Sequence, residues 1–253
     1  MKKVLSPFLI FLLLSLQSLA DEKMKDMSDP LAVYTQAGIG ITNKGFNLKF
    51  GQAYDSGQAN IAKQNIFEIK GIGGDIFGWD DDASNAIDSI RLRNFSVDLS
   101  SGRGTQLDIS YNLHAEVGSI SYSLLQALPK IGNINIYPLT GIGLSIANNA
   151  IEDDGSIDSG YSIPGTFAVI GMYGKYTIND KIWINYNPIW STTLSGSDNY
   201  KNHAFINKSH LLSHEFALSY QINKRSNIRY FANWNKKVDF KDGDHRIEYN
   251  YQF

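Results

Sequence analysis

The last eight residues, Arg246-Ile247-Glu248-Tyr249-Asn250-Tyr251-Gln252-Phe253, put an apolar side chain at every second position. A repeat of two belongs to a β-strand whose faces meet different surroundings. One face here carries Ile247, Tyr249, Tyr251 and Phe253, and the other carries Arg246, Glu248, Asn250 and Gln252. The same rhythm recurs upstream. Leu107, Ile109, Tyr111, Leu113, Ala115 and Val117 alternate with Gln106, Asp108, Ser110, Asn112, His114 and Glu116. Ile134, Ile136, Pro138, Ile142, Leu144 and Ile146 form another such run, as do Ile182, Ile184, Tyr186, Trp190 and Leu194. Leu212, Phe216, Leu218, Tyr220 and Ile222 continue it, followed by Ile228, Tyr230, Ala232 and Trp234.

The terminal strand, with its alternation and final Phe253, resembles the C-terminal strand of Gram-negative outer-membrane β-barrels. In those barrels this strand is the signal read by the assembly machinery, which assigns Ile247, Tyr249, Tyr251 and Phe253 that role here. A soluble sandwich would also alternate, but two features disfavour it. The runs are long against the ~5–6 residues of an ordinary strand and suit the ~9–11 that a tilted strand needs to cross a bilayer. The turns also alternate short and long. Tight ones fall at Lys224-Arg225-Ser226, Asn179-Asp180, Lys130-Ile131-Gly132, Ser101-Gly102-Arg103-Gly104 and Asp55 to Asn60. Longer polar loops fall at 236–244, 195–209, 147–163 and 73–86, with tight outer turns near Gly118 and at Asn43-Lys44-Gly45.

This tally predicts an all-β fold: a closed antiparallel transmembrane β-barrel of twelve strands, with ten as the alternative and both termini periplasmic. Closure follows from solvent physics. In hydrocarbon each unpaired backbone N–H or C=O costs several kcal/mol, so a sheet with open edges cannot reside there. Ile90 and Leu92 lie on one parity, and Phe95, Val97 and Leu99 on the other, which predicts a bulge near Arg93-Asn94. Pro138 and Pro188 each remove a ladder donor, so local distortion is expected at both.

The chain opens differently. Lys2 and Lys3 precede an apolar run from Phe8 to Leu16, and Ser18-Leu19-Ala20 supplies small residues for cleavage. Residues 1–20 therefore read as a secretory signal peptide, 21–29 as a short periplasmic segment and 30–253 as the barrel. Cleavage removes two lysines and no acid, which takes the net charge from −2 to −4. That balance excludes a dedicated nucleic-acid binder. With no cysteine there is no disulfide framework, thiolate metal site or cysteine nucleophile.

Strand parity sends Lys49, Glu68, Lys70, Asp98, Asp108, His114, Glu116, Lys175, Glu215, Arg229, Arg246 and Glu248 toward the lumen. The mixture suits an ion-pair network filling a narrow barrel, or a small hydrophilic pore with little selectivity. Arg91 and Arg93 could instead pair with lipid phosphates or face the lumen. Barrel phospholipases and lipid A deacylases carry a His-x-Ser pair on a strand, and none occurs here. His210 and His214 share the lipid-facing parity, where a headgroup girdle is expected. Omptin-type proteases suggest rim chemistry for Asp80, Asp81 and Asp82, Asp153 and Asp154, or Asp242-Gly243-Asp244-His245, but calcium-loop spacing is missing. No catalytic residue, metal or cofactor is expected.

The resemblance to small porin-like barrels covers Pro30 to Phe253. It implies an outer-membrane protein with a structural or weakly selective passive-diffusion role. An outer-leaflet lipid or peptide hydrolase and a surface receptor or adhesin are the alternatives. The expected partners are outer-membrane lipid, lipopolysaccharide, the barrel-assembly machinery and periplasmic chaperones.

Overall fold

A computed structural model describes residues 24–79 and 86–253. The predicted signal peptide and Asp80 to Asp82 lie outside the described residues. The chain forms thirteen strands. The first six are β1 (Gln36–Thr42), β2 (Gly45–Asp55), β3 (Ile61–Ile72), β4 (Ser89–Asp98), β5 (Arg103–Asn112) and β6 (Val117–Gln126). The rest are β7 (Ile134–Ile151), β8 (Ile157–Ser162), β9 (Gly165–Thr177), β10 (Ile182–Gly196), β11 (His210–Asn223), β12 (Ser226–Asn235) and β13 (Asp244–Gln252). Neighbours pair antiparallel around a ring of twelve, with β8 hydrogen-bonded only to the far end of β7. β13 returns to β1 in an unbroken register from Gln36↔Gln252 to Thr42↔Arg246, so the ring has no open edge.

The wall is inside out relative to a water-soluble protein. Its largest fully buried side chains are Gln252, Asn227, Thr35 and Ser219, while Ile142 is 65% exposed and Ile247 55%. Polar groups hydrogen-bond between neighbouring strands on the inner face, as Asn250 Nδ2 of β13 does to Asn227 Oδ1 of β12 at 3.1 Å. The exterior is apolar along the strands, the surface a transmembrane barrel turns toward hydrocarbon. Leu218→Arg places a guanidinium on that exterior. It is expected to cost about 2–4 kcal/mol if the residue sits near the bilayer midplane, as read by urea titration of folding into lipid vesicles. A cost near zero would contradict a lipid-facing wall.

Three expectations meet the structure differently. β4 has no bulge: its ladders to β3 and β5 run without a register shift, and Phe95 and Val97 face the lumen. The loop expected at 147–163 is largely an extension of β7 and a hairpin to β8. Both prolines do interrupt pairing on one side. The β6–β7 ladder stops at Leu125↔Leu139 beside Pro138 and resumes with Leu128 N donating to Ile136 O at 3.0 Å. Pairing of β10 with β9 skips Asn187 and Pro188, where Gly174 N donates to the Asn187 side chain at 3.3 Å.

Candidate functional site: a charged lumen crossed by the N-terminal segment

Three neighbouring strands bring the first charge cluster together. β4 carries Arg91 and Arg93 on its inner face, opposite Glu68 of β3 and Asp108 of β5. The pairs form on the diagonal. Arg91 grips Asp108 through two parallel bonds, Nε to Oδ1 at 2.8 Å and Nη2 to Oδ2. Arg93 Nη2 donates to Glu68 Oε1 at 2.8 Å, and Lys70 Nζ stands 3.9 Å from Glu68 Oε2. Of the two readings of these arginines, the lumen-facing one holds. Gln106 Nε2 donates to Asp108 at 3.0 Å and accepts at Oε1 from Tyr173 OH at 2.9 Å. Tyr173 belongs to β9, three places round the ring from β5, so that bond crosses the lumen.

A second cluster lies farther round the wall, on β2, β12 and β13, with Lys49 the cross-strand partner of Glu68. Lys49 Nζ donates to Glu248 Oε1 at 2.5 Å, and Arg246 Nε lies 3.3 Å from Glu248 Oε2. The Arg229 and Arg246 guanidiniums stack on Phe231, 4.6 and 4.1 Å from its centroid, a desolvated cation–π arrangement. Arg229 otherwise donates to neutral partners, Ser219 Oγ at 3.0 Å and Asn185 Oδ1 at 2.8 Å. Glu215 accepts from Asn187 Nδ2 at 2.7 Å.

Residues 24–35 run inside the ring, and seven strands hold them. Lys25 and Gln252 of β13 exchange two hydrogen bonds, at 3.2 and 3.4 Å. Lys175 of β9 reaches Asp26 at 3.4 Å and bonds Ser28 Oγ. Tyr137 OH of β7 donates to Asp29 at 3.1 Å. Gln64 of β3 bonds Tyr34 O, and Ala53 N of β2 donates to Thr35 Oγ1 at 3.2 Å. Gln221 of β11 and Asn227 of β12 converge on the Met27 sulfur. β2 and β9 stand six places apart in a ring of twelve, so a segment bonded to both spans the bore. Burial pushes the Asp26 carboxyl up, but the Ser28 bonds and Lys175 outweigh it and hold the group below its ordinary value.

The segment bounds a chamber of about 350 Å³ lined by Tyr34, members of both charge clusters, Phe95 and Phe231. Lys70 and Arg91 also line a second space of about 880 Å³ toward the opposite mouth. There the short helix α2 (Asp198–His203) folds inward, following α1 (Gly74–Phe77) in chain order. Tyr200 is buried, and its hydroxyl lies 2.8 Å from Ser145 Oγ. Gly165 makes room, since a Cβ there would run into the Tyr200 ring. Asp153 Oδ1 accepts from Asn199 N at 2.7 Å, and backbone bonds from Asn199 and Asp198 hold its pKa below the usual range. This rim acid therefore fastens the β7–β8 hairpin to α2.

Of the residues assigned to the lumen, Lys49, Glu68, Lys70, Asp108, Lys175, Glu215, Arg229, Arg246 and Glu248 lie on inward strand positions. The structure does not bring the other three to them. β5 ends at Asn112, so His114 and Glu116 occupy an exposed turn, with Glu116 at φ 54°. Asp98 ends β4 on the outward parity and accepts from Ser100 and Ser101. Ile247 and Tyr249 face outward, while Tyr251 and Phe253 pack edge to face at 5.2 Å.

Arg91, Arg93 and Tyr173 are additions to the sequence set. The inward parity of β4 was hidden by its apolar residues. None of the five histidines lines the chamber next to the segment. His214 stacks between Tyr186 and Trp234, and His245 on Tyr230, all on outward positions.

Neither a protein-family model nor a curated protein sequence matches the chain. Solved structures do. The NanC porin aligns with a TM-score of 0.53 at 8% identity, over 87% of this chain and 98% of that one. The KdgM porin in complex with disordered oligogalacturonate scores 0.47 at 10% identity, over 87% and 99%. Omp33 of Acinetobacter baumannii scores 0.39 at 8% identity, over 89% and 100%. The likeness to NanC is one of fold. Together with the closed ring and the polar bore, it makes this chain a porin-like β-barrel.

Proposed function

We propose that the protein is an integral outer-membrane barrel through which small hydrophilic solutes diffuse passively, with both termini in the periplasm. The observation that carries the reading is the inverted wall. A ring sealed at every edge encloses two chambers in series, the one beside the N-terminal segment predominantly polar and the other of mixed lining, and exposes apolar side chains outward. Such a ring gives water and small solutes a path through hydrocarbon without unpaired backbone. Mixed charges along that path, rather than one sign, favour weak selectivity between ions. Outer-membrane lipid and lipopolysaccharide surround the barrel in this reading, and the assembly machinery inserts it by its last strand.

Planar-bilayer recording of the refolded full chain tests the proposal. Small, ohmic, stepwise currents in potassium chloride are expected. Silence from protein that shows heat-modifiable gel migration would overturn a conducting role while leaving the barrel intact.

A further inference from the structure

The wall built by β11, β12 and β13 carries its charges in rows. Cross-strand partners Glu215, Asn233 and Asp244 share one inward row. The next row, one step nearer the chain termini, holds Ala217, Phe231 and Arg246, and the one after it Ser219, Arg229 and Glu248. An acidic row thus sits beside a basic pair, all lining the same chamber of about 350 Å³.

The acidic row and the basic pair form no direct ion pairs with each other. No cation stands within 4.0 Å of a Glu215 or Asp244 oxygen among the described residues, and Glu215 has Asn187 alone as its side-chain partner. The Arg246 side chain is only 9% exposed, yet its Nε makes no hydrogen bond, and Glu248 is its one ion-pair partner. A guanidinium held this dry without a hydrogen-bonded acceptor loses much of its solvation free energy, which an incoming carboxylate restores. A free carboxylate in the adjacent row does the same for an ammonium. Strands lie about 4.8 Å apart and a two-residue step is about 6.8 Å, so long side chains from these rows converge to the separation of charges within one small molecule.

We propose that this wall is a binding site for small zwitterionic solutes of the α-amino-acid class. The solute carboxylate lies on Arg246 and Arg229 and its ammonium on Glu215 and Asp244. Glu248, Lys49 and Glu68 also face this space. Glu248 and Lys49 are engaged with each other, and Glu68 with Arg93. The proposal rests on the channel reading for the solute's route, but its test does not need a current.

Equilibrium dialysis of radiolabelled L-alanine against the full chain, folded in detergent, measures the site directly. Saturable uptake of about one equivalent is expected, displaced by glycine but not by propionate or ethylamine. Glu215→Gln, which can keep the Asn187 contact, and Arg246→Gln should each weaken uptake about tenfold, the loss of one charge-assisted contact. Asp55→Asn, at the exposed turn that ends β2, should leave it unchanged. Should Arg246→Gln fail to fold, Glu215→Gln decides alone. Absence of saturable uptake overturns the proposal, and so does displacement by propionate together with indifference to Glu215→Gln, which marks a plain anion site. Uptake without potassium chloride current would overturn the channel and keep the site; current without uptake would do the reverse.

Discussion

Deleting residues 24–33 is expected to raise single-channel conductance several-fold without unfolding the barrel. The segment crosses the bore and is bonded to strands on both sides of it, so it narrows the path at the end where the termini lie. The ring does not depend on it, because β1 starts at Gln36 and its register to β13 and β2 is complete. Heat-modifiable migration of the deletion should match the full chain while current increases. Equal currents would show that the segment is no obstacle.

The pH dependence has a definite sign. Asp26 is held below its ordinary value, so its grip on Lys175 is intact above the ordinary carboxylate range. That grip fades only as pH falls through the lowered value. Full-chain conductance should therefore stay flat through the ordinary carboxylate range and rise only in stronger acid.

The second large effect concerns stability. Glu68→Ala leaves Arg93 and Lys70 facing each other in a bore where the Glu68 side chain is 9% exposed. Breaking a buried pair from one side costs about 3–5 kcal/mol, because the surviving charge stays desolvated. Glu68→Ala should lower folding stability in vesicles by that order, and adding Arg93→Ala should return part of it. A single variant within experimental error of the parent would show that water in the bore already solvates these groups.

Most of the ring was legible because membrane strands must alternate, and a period of two survives any uncertainty in strand ends. The turns at Asn43-Lys44 and Lys224-Arg225 fall between strands as read. Alternation failed where it continued past its strand. His114 and Glu116 keep the rhythm of β5, but Asn112 Oδ1 accepts from Ala115 N at 2.6 Å and turns the chain.

The sequence reads 21–29 as a short periplasmic segment, and the passage of residues 24–35 through the bore left a trace that was read as something else. Phe95 and Val97 broke the phase of β4, which pointed to a bulge. They are lumen residues, and with Ile66 and Phe231 they line the chamber alongside Leu31, Ala32 and Val33. Apolar residues on the inner parity, gathered at one end of a barrel, mark a place where chain rather than water fills the bore. The charge pairing was not legible either, since the diagonal choice between Glu68 and Asp108 depends on stagger rather than on sequence spacing.

Lys25 bonds Gln252, and Phe253 N donates to Thr35 O at 3.1 Å. Both ends of the 24–35 segment are thus tied to the last two residues beside the seam that seals the cylinder. Those bonds couple the placement of the segment in the bore to the order of the last strand's end. Trimming even the last two residues would loosen both together.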